Sequence, residues 1–407
     1  LALIACLALK EIPFLIAMMW SVLAQGDLAP MLTGHWRSAR SLGHGTGSVW
    51  LRVLLPQILT RLGWPIAAVW IYGATVVDMA LVIGPTQPPT LAVIAWADLN
   101  NASEDINGRG SAGAMVLTLV LFAVVLLAYL TISRARKWVR GFMTAGPSAL
   151  SVPKSSATLL AAAIIALYGF VLVTLAAMSL SGRWPYPQLL PETIEFVAWQ
   201  TLLANGNPAI LSLSLALATS ATALGFVVWW FETVEPRFDR VLTIAAIASL
   251  GPPALAVASG QYRVFLHLDL IGTPAGLYLA HFTLVFAYVF IVLKGPYRAF
   301  DPRFRAVAHG LNAGKLRFWL RVKAPLLKAP LATAAAIGFS VGVVQFVPAQ
   351  LIAAGRYSTL PMEAVTLASG GHRPLTAAYA LALALLPAIA FLLALVLGHP
   401  RWRQAWT

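Results

Sequence analysis

The sequence predicts an all-α, polytopic membrane protein: a helical bundle of two related units in one chain, the first of them truncated at its N-terminus. Three observations predict it. Apolar residues make up 59% of the 407 positions and charged residues only 10%, where a soluble domain carries about a quarter. The apolar residues gather into runs long enough to span a bilayer. And one short stretch occurs twice. Ala39, Leu42, Gly45, Trp50-Leu51-Arg52-Val53 and Pro56 return as Ala308, Leu311, Gly314, Trp319-Leu320-Arg321-Val322 and Pro325, always 269 residues later. A long-period repeat fixes architecture before any local motif is read.

A spanning helix needs about 20 mostly apolar residues. Nine such runs lie near 2–24, 63–84, 113–133, 157–180, 208–231, 241–260, 272–293, 331–352 and 374–397. The first run lacks a basic flank and a small-residue cleavage site, so it reads as a span of a truncated chain and not as a signal peptide. The first copy of the repeat follows this span. The loop 85–112 then carries Asp98, Glu104 and Asp105 against one arginine. Residues 134–157 are basic, then rich in Gly, Pro and Ser, and read as a cytoplasmic linker. Residues 1–133 are therefore the C-terminal part of a first unit with about three spans, and 158–407 a second unit with six. If the units are equivalent, about three spans are missing from the first. The loop 181–207, with Glu192, Glu195 and several prolines, is too small for a catalytic domain. After the second and eighth runs, Gly84 with Thr90-Leu91 matches Gly355 with Thr359-Leu360. These stretches read as outer gates or re-entrant turns, or as plain connecting loops.

The net charge of +14 has a distribution that speaks against nucleic acid. If the repeat-bearing loops are cytoplasmic, 22 of the 28 Lys and Arg fall on that side, in 34–62, 134–157, 232–240, 294–330 and the tail. That is the positive-inside bias, and basic residues so placed also meet lipid headgroups. Cys6 is the lone cysteine, which excludes an internal disulfide, and the seven His show no pairing at i, i+4. No metal or cofactor is expected. Gly310-Leu311-Asn312-Ala313-Gly314-Lys315-Leu316 looks like a P-loop but has three residues between its glycines and Leu after its Lys. The phosphate-binding pattern needs four, and a hydroxyl for magnesium. The chain thus shows no means of hydrolysing ATP, and no enzymatic activity is expected.

Ionisable residues inside spans cost about 2.5–3.5 kcal/mol each on insertion scales and are the default functional candidates. Glu11, Asp78 and His281 qualify, with Gln345 as a polar companion. Glu11 and Asp78 lie about 22 Å from the cytoplasmic ends of their spans, at 1.5 Å per residue. They line a translocation path, or else Glu11 pairs with Lys10 and Asp78 caps a turn.

The repeated segments read RSARSLGHGTGSVWLRVLLPQIL (37–59) and AVAHGLNAGKLRFWLRVKAPLLKAP (306–330). Small residues begin each. Gly43 or Asn312 follows, where positive φ is tolerated. Pro56 or Pro325 then suits the first turn of a helix. The pattern is a short helix, a bend and a second short helix on the membrane face. It resembles the EAA loops of permease subunits in bacterial binding-protein-dependent ABC importers. That family has Glu-Ala-Ala, three residues, Gly, nine residues, a branched apolar residue, one residue, then Leu-Pro. Here the first copy gives Arg37-Ser38-Ala39, Gly43, Val53, Leu55 and Pro56, and the second gives Ala306-Val307-Ala308, Asn312, Val322, Ala324 and Pro325. The spacing is kept; the Glu is absent from both, and the Gly from the second.

The resemblance is closest to fused two-unit permeases of the iron(III), thiamine and polyamine type. It implies a multi-pass protein of the inner membrane that moves a small solute. A periplasmic substrate-binding protein would deliver the solute, and two copies of a separate ABC ATPase subunit would dock on 34–59 and 303–327. Arg37, Ser38, Ala39, Leu42, Gly43 and Pro56, with Ala306, Ala308, Leu311, Asn312 and Pro325, would form the docking loops as coupling helices. Because Asn312 replaces the family Gly, the second loop is expected to be the looser. An ion-gradient-driven transporter would instead need a buried ion site. A lipid-modifying enzyme would need clustered catalytic residues at one face, and none is seen.

The charge distribution makes a testable statement about topology. A reagent that cannot cross the membrane, applied to intact cells carrying a Cys6-free variant, should label a cysteine placed in 85–112 and leave one at position 148 unlabelled. Labelling at 148 from outside would reverse the orientation.

Overall fold

The computed structural model describes residues 2–23, 28–101, 103–143, 154–185, 187–188, 190–312 and 314–398. The middle of the expected linker, 144–153, and the basic tail with Arg401 and Arg403 lie outside the described residues. The described residues are helical throughout, with one isolated antiparallel bridge between Ser181 and Ile194. The chain divides into two compact units, 1–171 and 172–407.

The first unit runs α1 (Ala2–Leu23), α2 (Leu28–Ser41), α3 (Thr46–Ser48), a π-turn (Val49–Leu54), α4 (Leu55–Thr75), α5 (Asp78–Ile83), α6 (Leu91–Leu99) and α7 (Glu104–Met143). Helix α8 (Lys154–Ser179) carries the chain across the division. The second unit continues with α9 (Val197–Ala204), α10 (Asn207–Thr233), α11 (Asp239–Leu250), α12 (Ala254–His267), α13 (Pro274–Arg298) and α14 (Arg303–Gly310). After these come α15 (Lys315–Phe318), a π-turn (Trp319–Lys323), α16 (Ala324–Leu326), α17 (Lys328–Val344), α18 (Val347–Ala353), α19 (Leu360–Ser369) and α20 (Arg373–Gly398).

The 269-residue offset seen in the sequence reaches well beyond the matched side chains. Helix α2 ends at Ser41 and α14 at Gly310; α4 ends at Thr75 and α17 at Val344; α5 begins at Asp78 and α18 at Val347. Helices α6 and α19 begin at Leu91 and Leu360, and α7 and α20 at Glu104 and Arg373. Every one of these pairs is 269 residues apart.

Of the nine expected spans, five are single helices long and apolar enough to cross a bilayer, and two bent pairs would bring the number to seven among the described residues. The differences have physical causes. The run 241–260 is no single straight helix: α11 and α12 meet at 105°, because Gly251-Pro252-Pro253 offers no N–H at two successive positions and cannot continue a helix. The run 63–84 is interrupted at Val76-Val77 and the run 331–352 at Gln345-Phe346, where the backbone turns extended for one residue. The basic start of the expected linker, 134–143, is the helical end of α7. Non-helical backbone at membrane depth must be shielded by protein. In the second unit it is, since six of the seven residues of α18 are buried.

Lipid is as apolar as leucine, so helices in a bilayer associate through close packing and hydrogen bonds. Helix α17 packs on α10, α13 and α20. Gly338 and Gly342 bring it against α10: a Cβ at Gly342 would lie 2.8 Å from Ala216 Cα, and one at Gly338 2.8 Å from Ser220 Oγ. Ser220 Oγ donates to Ala335 O across the seam at 3.0 Å. Along α13 the rings of Tyr278, Phe282, Phe286 and Phe290 stack at one-turn intervals, with centroids 5.9–6.1 Å apart. Phe231 of α10 closes on Phe290 at 5.6 Å. In the first unit α6 and α7 form a hairpin. There Gly110 lets the helices touch, Asn107 Nδ2 donates to Leu99 O at 2.6 Å, and Arg109 grips both oxygens of Asp98 at 2.8 and 3.0 Å. The guanidinium holds the Asp98 carboxyl below its ordinary range, although so exposed a pair adds little stability.

The α10–α17 seam should be intolerant of bulk. Gly342→Leu should lower stability by about 1–3 kcal/mol, as overpacking does, read as a lower melting temperature in detergent. Gly225, where a Cβ would meet nothing within 4 Å, is the control. Equal melting of Gly342→Leu and Gly225→Leu would contradict the close approach.

Candidate functional site

Each repeated loop is built from its residues in the same way. Helix α2 stops because Gly43 takes φ +86°. Gly43 N–H then donates to Arg40 O at 3.1 Å and His44 N–H to Ala39 O at 3.2 Å, the paired bonds of a Schellman stop. Helix α14 stops at the same register with Asn312 at φ +54°, asparagine being the usual second choice there. Gly45 (φ −65°, ψ 157°) and Gly314 (φ −62°, ψ 153°) restart the chain as extended caps. Both then widen into the π-turns Val49–Leu54 and Trp319–Lys323, a distortion often found where a helix has work beyond packing. Pro56 stands in the first turn of α4 and Pro325 in that of α16.

The outer faces of the loops are open. Leu42 is 69% exposed and Leu311, its register mate, 77%. Arg37 and Ser38 are exposed in the first loop, and Ala306, Asn312 and Pro325 in the second. Ala39 is buried and Pro56 and Ala308 half-buried. Phe304, Val307 and Leu311 make an exposed apolar stripe along α14, where the first loop has His35, Ser38 and Leu42.

The inner faces are held differently. The first loop rests on an apolar cluster of Leu32, Ala39, Val49, Leu54, Ile58 and Leu62. Polar contacts around it include His35 with Gln57 at 3.0 Å, and Arg40 to His44 O at 2.8 Å. The second loop is tied to its unit by charge. Lys323 Nζ donates to Glu232 Oε1 at 2.6 Å, Tyr297 O–H to the same oxygen at 2.5 Å, and Trp319 Nε1 to the Tyr297 hydroxyl oxygen Oη at 2.8 Å. Beside it, Arg298 donates twice to Asp239 at 2.7 Å and also to Phe231 O and Val234 O. The π-turn of the second loop is thus fastened at Trp319 and Lys323, beyond the bend at Asn312.

The candidate path residues fall into two groups. In the first unit Glu11 is half-buried on α1, but its neighbour Lys10 is engaged by Tyr72 of α4, whose hydroxyl and ring face it at once. Asp78 is the first residue of α5, directly after the break that ends α4. In the second unit His281 is 1% exposed, and its Nδ1 bonds to Leu277 O one turn back at 2.9 Å. Gln345, at the break, donates from Nε2 to His281 O at 3.1 Å, and its buried Oε1 has no partner. The structure thus joins Gln345 to the His281 backbone.

Sequence reasoning missed the Glu232, Asp239, Tyr297 and Arg298 cluster. The available signal was three acids, Glu232, Glu235 and Asp239, inside the segment 232–240, which was counted only for its two arginines. Their placement supports a prediction. Arg298→Met leaves Asp239, 5% exposed at its side chain, without its counter-charge, and should cost about 3–5 kcal/mol. Adding Asp239→Asn should recover most of the lost melting temperature. No recovery would mean that Arg298 acts through its bonds to Phe231 O and Val234 O alone.

No protein-family model matches the chain. It is 31% identical over 387 residues to the inner membrane ABC transporter permease protein YnjC of Escherichia coli (strain K12), covering 95% of this chain and 70% of that protein.

Proposed function

This chain belongs to the ABC transporter permeases of the inner membrane, and we propose that within that family it is a fused, two-unit importer permease driven by a separate ATPase. Substrate arrives on a periplasmic binding protein. Two ATPase subunits dock on 34–59 and 303–327, whose loops serve as coupling helices of EAA type. The units are parallel repeats around one path, and ATPase closure and reopening turn the path outward and back, alternating access between repeats. The subtype is that of the iron(III), thiamine and polyamine permeases. Glu11, Asp78, His281 and Gln345 lie on or beside the path.

The observation that carries this reading is the pair of loops. Both have the same stop, restart and π-turn at one register, and each leaves a leucine open to solvent at that register, Leu42 and Leu311. Leu51 and its register mate Leu320 are exposed as well, and exposed apolar surface beyond a single side chain marks an interaction site. Two patches of one design in one chain suit two copies of one partner. The charge distribution supports their cytoplasmic side.

The test is copurification. A tagged chain should carry an ATPase subunit through detergent extraction, and the chain alone should hydrolyse no ATP. Gly43→Asp with Asn312→Asp should lose the subunit while the protein still inserts and folds, since a Cβ at Gly43 meets nothing within 4 Å. Gly43→Asp is the more damaging single change, because it adds about 1–2 kcal/mol of left-handed strain where Asn312 already carries a side chain at positive φ. Undiminished copurification in the double variant would return the loops to topology signals.

A further inference from the structure

The ion pairs at the basic end of the second unit divide by what they join. Asp239 is the first residue of α11 and Arg298 the last of α13. An acid at a helix N-terminus and a base at a C-terminus each suit the helix dipole. Their pair, with the bonds to Phe231 O and Val234 O, ties α10, α11 and α13 to one another. It braces the fold and does not touch the repeated loop.

Glu232 is different. It is the penultimate residue of α10, where a negative charge opposes the dipole. Its position is made tenable from outside the helix. Two donors meet one carboxylate oxygen and a third backs one of them: Tyr297 O–H and Lys323 N–H donate to Glu232 Oε1, and Trp319 N–H donates to the Tyr297 hydroxyl oxygen Oη. Two of the donors, Trp319 and Lys323, are the first and last residues of the π-turn. The Lys323 ammonium also lies 4.1 Å from the Tyr297 ring centre and 5.4 Å from that of Phe300. The π-turn is thus fastened at both ends to α10 and α13, and those helices are locked together by stacked Phe231, Phe290 and Tyr297. At the Lys323 register the first loop has Leu54, buried in an apolar cluster. At the Trp319 register it has Trp50, 48% exposed. The two loops share a backbone and differ in attachment.

We propose that Glu232, Tyr297, Trp319 and Lys323 are positioning residues for coupling, forming the joint through which displacement of the second loop is transmitted to α10 and α13. This rests on the ATPase-docking reading above. Directional, charge-assisted bonds at both ends of a turn carry rotation as well as push.

The experiment uses the complex purified through a tag on the full chain, with Cys6→Ser and a reporter Asn207→Cys, an exposed position at the first residue of α10 and the end away from the joint. Alkylation of the reporter by N-ethylmaleimide is timed without nucleotide and after trapping with ATP and vanadate. The unsubstituted joint should give a several-fold change in rate. Glu232→Gln and Lys323→Met should each retain the ATPase subunit and lose that change, and Glu232→Lys with Lys323→Glu should restore it. A merely structural pair would lower the melting temperature and leave the change in place, which overturns the joint. So does a reporter that fails to respond in the unsubstituted complex while the ATPase is bound. If the unsubstituted chain holds no ATPase at all, the docking reading itself falls, and the joint falls with it.

Discussion

Inside a bilayer no backbone N–H or C=O can turn to water for a partner, and nearly every feature of this protein follows from that. It forces the chain into helices, and it makes each break in a helix a problem to be solved locally. The breaks after Thr75 and Val344 are followed by short helices, α5 and α18, and in the second unit the short helix is sunk in protein. The Gly251-Pro253 corner bends a would-be span through 105°. The loops that do face water are the places where the chain can afford glycine in a left-handed turn and open leucines.

Much of this was legible in the sequence, and the reason is spacing. The stop at Gly43 or Asn312, the restart at Gly45 or Gly314 and the proline of the next helix must stand at fixed intervals for the turn to close, so the pattern survives as a pattern. Fold class was legible because lipid demands long apolar runs and tolerates little else. The helix breaks were not. Val76-Val77 are apolar and Gln345 is a single polar residue within a long apolar run, and averaged hydropathy counts such a run as a span whether or not the backbone runs straight. The bend within the run 241–260 was missed for the same reason, although its Pro-Pro corner was in plain view.

Long-range polar pairs were the least legible. Lys323 meets Glu232 across 91 positions, and nothing in either neighbourhood points to the other. A basic residue in a cytoplasmic segment has a sufficient explanation in topology, so its second role is hidden behind the first. His281 shows the converse. A histidine inside a span invites a functional reading, yet its ring nitrogen is bonded to its own helix one turn back. Gln345 keeps one buried oxygen unpartnered, although its amide nitrogen is bonded to the His281 backbone.

The constant 269-residue offset has a consequence for how such a chain can change. From the stop of α2 at Ser41 to the start of α7 at Glu104, and from Gly310 to Arg373, the two stretches keep equal length while most of their side chains differ. A helix turns about 100° per residue, so one inserted residue within α4 or α17 would swing everything beyond it to a different face. Substitution alters one contact at a time, whereas insertion would re-aim a whole helix. Divergence in this segment is thus confined to chemistry at fixed addresses, which is how a leucine and a lysine came to occupy the same address in the two loops.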